Sequence, residues 1–203
     1  MNEKILIVCS KSHIDLAREY KDYYKIGVER GCLDLIKAGL PINYAVGDFD
    51  SVSEDEFKEI EAYSDELVRF PAAKDLIDGE IAIQYAVSRK PQEVVFIADG
   101  SRIDMTIAAV GLVAEYDVIL RNDDNYCYLL KEGNNFVPYK EGYKYISFLS
   151  FDKSLVNIRG FLYNAENLAV SWKSVNATSN EFVDKVGGNV EVFSGQTLAF
   201  YCN

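Results

Sequence analysis

The 203-residue chain is poor in the residues that build transition-metal centres and covalent cross-links. It has one histidine, His13, and four cysteines, Cys9, Cys32, Cys127 and Cys202, none in a C-x-x-C pair. A zinc site needs closely spaced sulfur or nitrogen ligands, so the sequence excludes one. Cys9 closes the apolar run Ile5-Leu6-Ile7-Val8 and reads as a small core residue rather than a nucleophile. No apolar run reaches the ~20 residues of a membrane-spanning helix. The first residues show no charged segment followed by a long apolar one. Basic residues are also few: 21 Lys and Arg face 32 Asp and Glu, for a net charge of −11. A nucleic-acid binder presents a basic face, so this balance argues against one. It leaves a nucleotide substrate open, because a bound Mg2+ reverses the local sign. The expectation is a reduced, cytoplasmic protein with neither membrane nor nucleic acid as partner.

Hydrophobic residues make up 49% of the chain and charged residues 26%, an ordinary composition with ample core material. Two patterns divide it. Up to about Asn122, short apolar runs alternate with helical periods. Strands are predicted at Lys4 to Cys9, Ile42 to Val46, Leu67 to Phe70, Glu93 to Ala98 and Asp117 to Leu120. Helices are predicted at Cys32 to Ala38, Glu54 to Tyr63 with Ser53 as N-cap, Glu80 to Ser88, and Thr106 to Glu115. Such alternation implies an α/β domain, a parallel sheet with helices on both faces. After Asn125 come short β-type runs: Tyr143 to Phe148, Leu155 to Arg159, Leu168 to Trp172, Val190 to Val192 and Thr197 to Cys202. These suggest an all-β sandwich. The turn-rich Lys131 to Asn135 segment sets the expected boundary, giving domains 1–132 and 133–203.

Three acidic loops follow predicted strands. Gly47-Asp48-Phe49-Asp50-Ser51 offers carboxylates two residues apart, which share a side in an extended segment and can gather on a hard cation such as Mg2+. Lys74-Asp75-Leu76-Ile77-Asp78-Gly79-Glu80 opens a helix; by position alone, capping and metal binding are equally open for Asp75 and Asp78. Asp99-Gly100-Ser101-Arg102-Ile103-Asp104 adds a glycine that permits close backbone approach and an arginine able to fork onto a phosphate. Asp104 could equally be an N-cap. Three acid-bearing loops at the carboxyl ends of strands mark the edge where open α/β sheets bind ligands.

In order and spacing these segments resemble those of the bacterial thiamin pyrophosphokinase family: GDFDS, KDxTDxE and GGRxDH, followed here by Ser179-Asn180-Glu181. Ile26-Gly27-Val28-Glu29-Arg30-Gly31 is similar to the family's first acidic segment, with Glu29 where Asp is usual. Arg159-Gly160-Phe161-Leu162-Tyr163 resembles its Gly-Leu-x-Tyr element. The chain departs from the family at Ile77, Ser101, Met105 and Ala109, and around Ile97. The resemblance implies transfer of a pyrophosphoryl group from ATP to thiamin, releasing AMP. It implies an ATP and Mg2+ domain, a thiamin-binding sandwich, and a homodimer with thiamin between subunits. Asp48, Asp50, Asp75 and Asp78 would hold Mg2+. Arg102 and Lys74, with Gly100 and Ser101, would meet the phosphates of ATP. Asp104 would orient, or take a proton from, the thiamin hydroxyl, or else serve as a further metal ligand. Ser179 and Asn180 would hydrogen-bond the pyrimidine. The departures leave two other readings open: a different acceptor alcohol, or a binding protein without catalysis.

Overall fold

The apolar run near the N-terminus becomes the central strand of a parallel sheet. The structure, a computed structural model, describes residues 3–71 and 75–203. The chain divides into two units, Met1–Asp123 and Asp124–Asn203. In the first unit the strands are β1 (Lys4–Val8), β2 (Tyr24–Val28), β3 (Tyr44–Gly47), β4 (Leu67–Arg69), β5 (Glu93–Ile97) and β6 (Ile119–Arg121). They lie in the order β4-β3-β2-β1-β5-β6, all parallel. The helices are α1 (Leu16–Glu19), α2 (Gly31–Lys37), α3 (Glu54–Tyr63), α4 (Asp78–Ser88) and α5 (Ile103–Tyr116).

Side chains alternate across the sheet, so both faces must be covered. Leu6, Val8, Ala45, Val95 and Ile97 pack on one face with Leu33 and Leu35 of α2 and Ile60 of α3. On the other face Tyr85 of α4 stacks on Tyr44, with ring centroids 4.0 Å apart. Gly79 of α4 sits so close to Phe96 that a Cβ there would lie 3.1 Å from the ring. Helices on both faces are thus as expected. Strand β2 was not legible in the sequence, because Lys25 and Gly27 interrupt its apolar run. Lys25 is buried and its ammonium donates to the Lys21 carbonyl, which offsets part of the cost of placing the charge there; burial still holds its pKa below the usual value.

The second unit is antiparallel. It comprises β7 (Asn125–Leu130), β8 (Gly133–Pro138), β9 (Tyr145–Leu149), β10 (Lys153–Arg159), β11 (Ala165–Ser171), β12 (Gly187–Ser194) and β13 (Thr197–Cys202). Strands β7-β13-β9 run together, and a second sheet has the order β11-β10-β12-β8. Phe148, Val156, Ile158, Phe161, Val190 and Tyr201 are among the residues that fill its core. The division falls before β7 rather than in the Lys131 to Asn135 segment. The reason is pairing: β7 is laddered along its length with β13, from Asn125↔Cys202 to Leu130↔Thr197.

One cap fastens the acidic loop after β3. Ser53 Oγ accepts the Glu56 N–H at 3.3 Å while the Glu56 carboxylate accepts the Ser53 N–H at 2.8 Å, a capping box at the start of α3. Glu56 also takes Arg30 Nη2 at 3.0 Å, and Arg30 Nη1 donates to the Ser51 carbonyl at 2.8 Å. Ser53→Ala should therefore lower stability by about 1 kcal/mol in urea unfolding. An unchanged midpoint would show that the Arg30–Glu56 pair holds this corner without the cap.

Candidate active site

The loops at the carboxyl ends of β1, β2, β3 and β5 surround a cleft of about 510 Å³. Its walls include Ser10, Glu29, Asp48, Asp75, Asp78, Asp99, Ser101 and Arg102. Three of these carboxylates come from the acidic segments read in the sequence as metal-binding: Asp48, Asp75 and Asp78.

The loop after β3 is a turn, not the extended segment expected from the i, i+2 spacing. The strand stops at Gly47, and Phe49 takes a left-handed conformation with φ 57°. Asp48 Oδ1 accepts the Asp50 N–H at 3.0 Å, closing the turn. The two carboxylates still converge, and Glu29 joins them. Oxygens of Glu29, Asp48 and Asp50 lie within 4.8 Å of one another, the one such carboxylate trio among the described residues. An all-oxygen, all-anionic set suits a hard divalent cation. Asp75 and Asp78 line the same cleft but stand outside this trio.

Glu29 is held on purpose-built geometry. It directly follows β2 with φ 53°, and its Oε1 accepts the Phe49 N–H at 2.8 Å. Its Oε2 accepts from Ser51 Oγ at 3.1 Å. Gly47 makes room for it: a Cβ there would lie 1.9 Å from Glu29 Oε1. Burial pushes the Glu29 carboxyl above its ordinary value, with Asp48 and Asp78 adding repulsion, while the bonds from Phe49 and Ser51 oppose the shift. The sequence offered Glu29 only through its resemblance to a family segment; the glycine opposite it was the missed signal.

Neither capping alternative holds for the other two loops. The N-cap of α4 is Ile77 and that of α5 is Arg102, both without a side-chain cap bond. Asp75 is exposed ahead of α4, Asp78 is its first residue, and Asp104 lies in the first turn of α5. Asp99 Oδ1 accepts the Ser101 N–H at 3.0 Å, repeating after β5 the turn seen after β3. Arg102 and Asp104 form an exposed fork, with contacts of 3.2 and 2.6 Å. The Arg102 guanidinium holds the Asp104 carboxyl below its usual range. Asp104, Asp50 and Gly100 are not in the cleft wall, and Lys74 lies outside the described residues. Burial drives the Cys9 thiol upward, with the Asp78 charge adding to the shift, which disfavours the thiolate that a nucleophile needs.

In the second unit the two segments read as thiamin elements lie side by side. Leu162 N–H donates to the Glu181 carbonyl at 2.9 Å. The Asn180 amide oxygen accepts the N–H groups of Tyr163 and Glu181, both at 2.9 Å, and its nitrogen donates to the Tyr163 carbonyl at 2.7 Å. Asn180 is buried, so its side chain ties the two segments together. Ser179 is exposed, with φ 56°, and its N–H donates to Ser147 Oγ at 2.9 Å.

A parallel α/β sheet with carboxylates, hydroxyls and a guanidinium gathered beyond its carboxyl ends has the build of a phosphoryl-transfer enzyme. Comparison with known proteins narrows the class. Residues 18–125 match the family model for the thiamin pyrophosphokinase catalytic domain, and residues 134–196 that for the thiamin pyrophosphokinase vitamin B1 binding domain. The chain belongs to the thiamin pyrophosphokinase family. It is 28% identical over 170 residues to a thiamine pyrophosphokinase of Bacillus subtilis, covering 80% of this chain and 79% of the relative. A thiamin pyrophosphokinase family protein from Enterococcus faecalis superposes with a TM-score of 0.85 at 27% identity, covering 99% of both chains. The enzyme from Geobacillus thermodenitrificans gives 0.84 at 26% identity, over 100% of this chain and 98% of that one. Membership makes the chain an ATP-dependent thiamin diphosphokinase by family, and no comparison favours the two other readings.

The raised Glu29 carboxyl makes a testable sign. A group whose folded value exceeds its unfolded one favours folding at low pH, and that contribution is lost as pH rises through the folded value. In metal-free protein, Glu29→Gln should therefore gain in melting temperature relative to the unaltered chain as pH climbs from about 4.5 toward neutrality. A difference between the two proteins that stays flat across that window would refute a half-buried carboxylate whose charged form is disfavoured by burial and its acidic neighbours.

Proposed function

We propose that the cleft of the first unit transfers the pyrophosphoryl group of ATP to the hydroxyl of thiamin, with Mg2+ held by Glu29, Asp48 and Asp50 and assisted by Asp75 and Asp78. The observation that carries this is the carboxylate trio beside a cleft that also holds Arg102. When bound, the cation supplies charge neutralisation for the phosphates. The chain supplies positioning. Arg102 exchanges its Asp104 partner for a phosphate oxygen, and Lys74 serves as a second cation. As Arg102 turns away, the restraint on the Asp104 carboxyl lifts. Asp104 then accepts the hydrogen bond of the thiamin hydroxyl more strongly and orients it for attack. The loop of Gly100 and Ser101 lies against the phosphates.

In the second unit Ser179 is the group that meets the thiamin pyrimidine, while Asn180 fixes the backbone on either side. The exposed apolar side chains Phe136, Leu162, Tyr163, Val186 and Phe193 fit a homodimer that covers them. Four free cysteines suit a reducing, cytoplasmic setting.

The test is AMP release from ATP and Mg2+, with and without thiamin. The expected result is thiamin-dependent AMP in step with thiamin pyrophosphate; AMP formation indifferent to thiamin would overturn the reading. Asp48→Asn keeps the oxygen that closes the turn but removes the charge. It should cut kcat by ~100-fold or more while the melting temperature is retained. Near-native turnover would remove Asp48 from the metal set. Ser179→Ala should raise KM for thiamin more than KM for ATP, and equal effects on both would place Ser179 elsewhere.

A further inference from the structure

Ser10 follows β1 and Cys9 directly, at the point where the sheet order turns. Strand β1 pairs with β2 on one side and with β5 on the other, so the connections leave in opposite directions and open a crevice beyond the carboxyl ends of β1 and β5. Cys9 N–H still bonds the Ile97 carbonyl at 3.0 Å, which fixes the floor of the crevice. Ser10 lines the cleft there, beside Ala98 and Asp99.

Its hydroxyl is anomalous. Ser10 Oγ is buried, yet among the described residues it has no hydrogen-bond partner. Buried polar atoms are nearly always paired, and an exception asks for a partner from outside the chain. Position narrows what that partner is. Glu29, Asp48, Asp75, Asp78 and Asp99 make the rest of the cleft an array of acceptors. They can meet a phosphate only through a cation. Among the described residues of the wall, Ser10, Ser101 and Arg102 carry the O–H and N–H groups that can donate to a phosphate oxygen directly. Of these, Ser101 and Arg102 are exposed on the rim, whereas Ser10 sits in the floor.

We propose that Ser10 is a positioning residue that donates its hydroxyl hydrogen bond to a phosphate oxygen of the nucleoside triphosphate. The inference rests on the cleft being the ATP site and not on thiamin being the acceptor. The hydroxyl oxygen is placed by a single torsion, that about Cα–Cβ, so its direction changes without moving the backbone.

The test is Ser10→Ala, read by calorimetric ATP·Mg2+ binding, by KM for both substrates, and by the melting temperature of the ligand-free protein. Losing a hydrogen bond to a charged group should weaken ATP binding about tenfold or more. KM for thiamin should hold, and the ligand-free melting temperature should stay level or rise, because an unpartnered hydroxyl has been removed. Ser10→Thr, which keeps the donor, should bind ATP within a few-fold of the unaltered protein. An ATP dissociation constant unchanged in Ser10→Ala, or a rise in thiamin KM alone, would overturn the proposal. If the unaltered protein made no thiamin-dependent AMP, the acceptor reading would fall, and the two ATP dissociation constants would still decide for or against Ser10.

Discussion

The cleft depends on one close approach, that of the Glu29 carboxylate to the backbone at Gly47. Strands β2 and β3 are neighbours, and Glu29 at the end of one reaches over the end of the other to accept the Phe49 N–H. Only a residue without Cβ leaves room for it. That bond fits the left-handed Phe49, which turns Asp48 and Asp50 back toward Glu29. Arg30, the next residue, then bonds the Ser51 carbonyl and Glu56, so the turn is clamped from both sides. Glu29 and Asp48 are held by main-chain donors and the Ser51 hydroxyl, on a turn that Arg30 clamps from outside the trio. Their mutual repulsion is built in before any ligand arrives.

The second unit solves a similar positioning problem with a neutral side chain. Asn180 takes two main-chain N–H groups and gives to one carbonyl, so two separate loops behave as one. A buried amide with partners at both ends is stable, whereas one with partners removed would be costly. This is why Asn180 is better suited to hold a site than to be the exposed part of it. Ser179, next to it and exposed, is the residue this arrangement presents.

Much of this was visible in the residues. The alternation of apolar runs and helical periods gave the α/β unit, and the acidic loops fell where the sheet ends. What escaped notice did so for physical reasons. Strand β2 hides because a buried lysine and a glycine break its pattern, yet each has a local reason to be there: the ammonium meets the Lys21 carbonyl, and a Cβ at Gly27 would lie 2.5 Å from Cys32 Sγ. Strands β7 and β8 hide in polar sequence such as Asn125-Tyr126 and Asn134-Asn135, where cross-strand pairing outweighs composition. Capping at Asp75 and Asp104 could be settled only by helix geometry, since the same spacing serves a cap or a ligand. Glu29 is distant in sequence from Asp48, and only the parallel pairing of β2 with β3 makes them neighbours.

The electrostatics of the cleft bear on how a nucleotide could bind there. Like charges about 4 Å apart repel by about 4 kcal/mol at the dielectric of a protein surface. A triphosphate alone would meet Glu29, Asp48, Asp75, Asp78 and Asp99 on those terms. Among the described residues of the wall the cationic side chain is Arg102, and it is already committed to Asp104. On the proposed reading, the nucleotide enters with its cation, and the first cost is that of separating Arg102 from Asp104. Both side chains are solvent-exposed, where such a pair is cheaply broken. On that same reading, the exchange that would free Arg102 for phosphate would free Asp104 for the acceptor hydroxyl, so nucleotide binding and acceptor orientation would share one switch of partners.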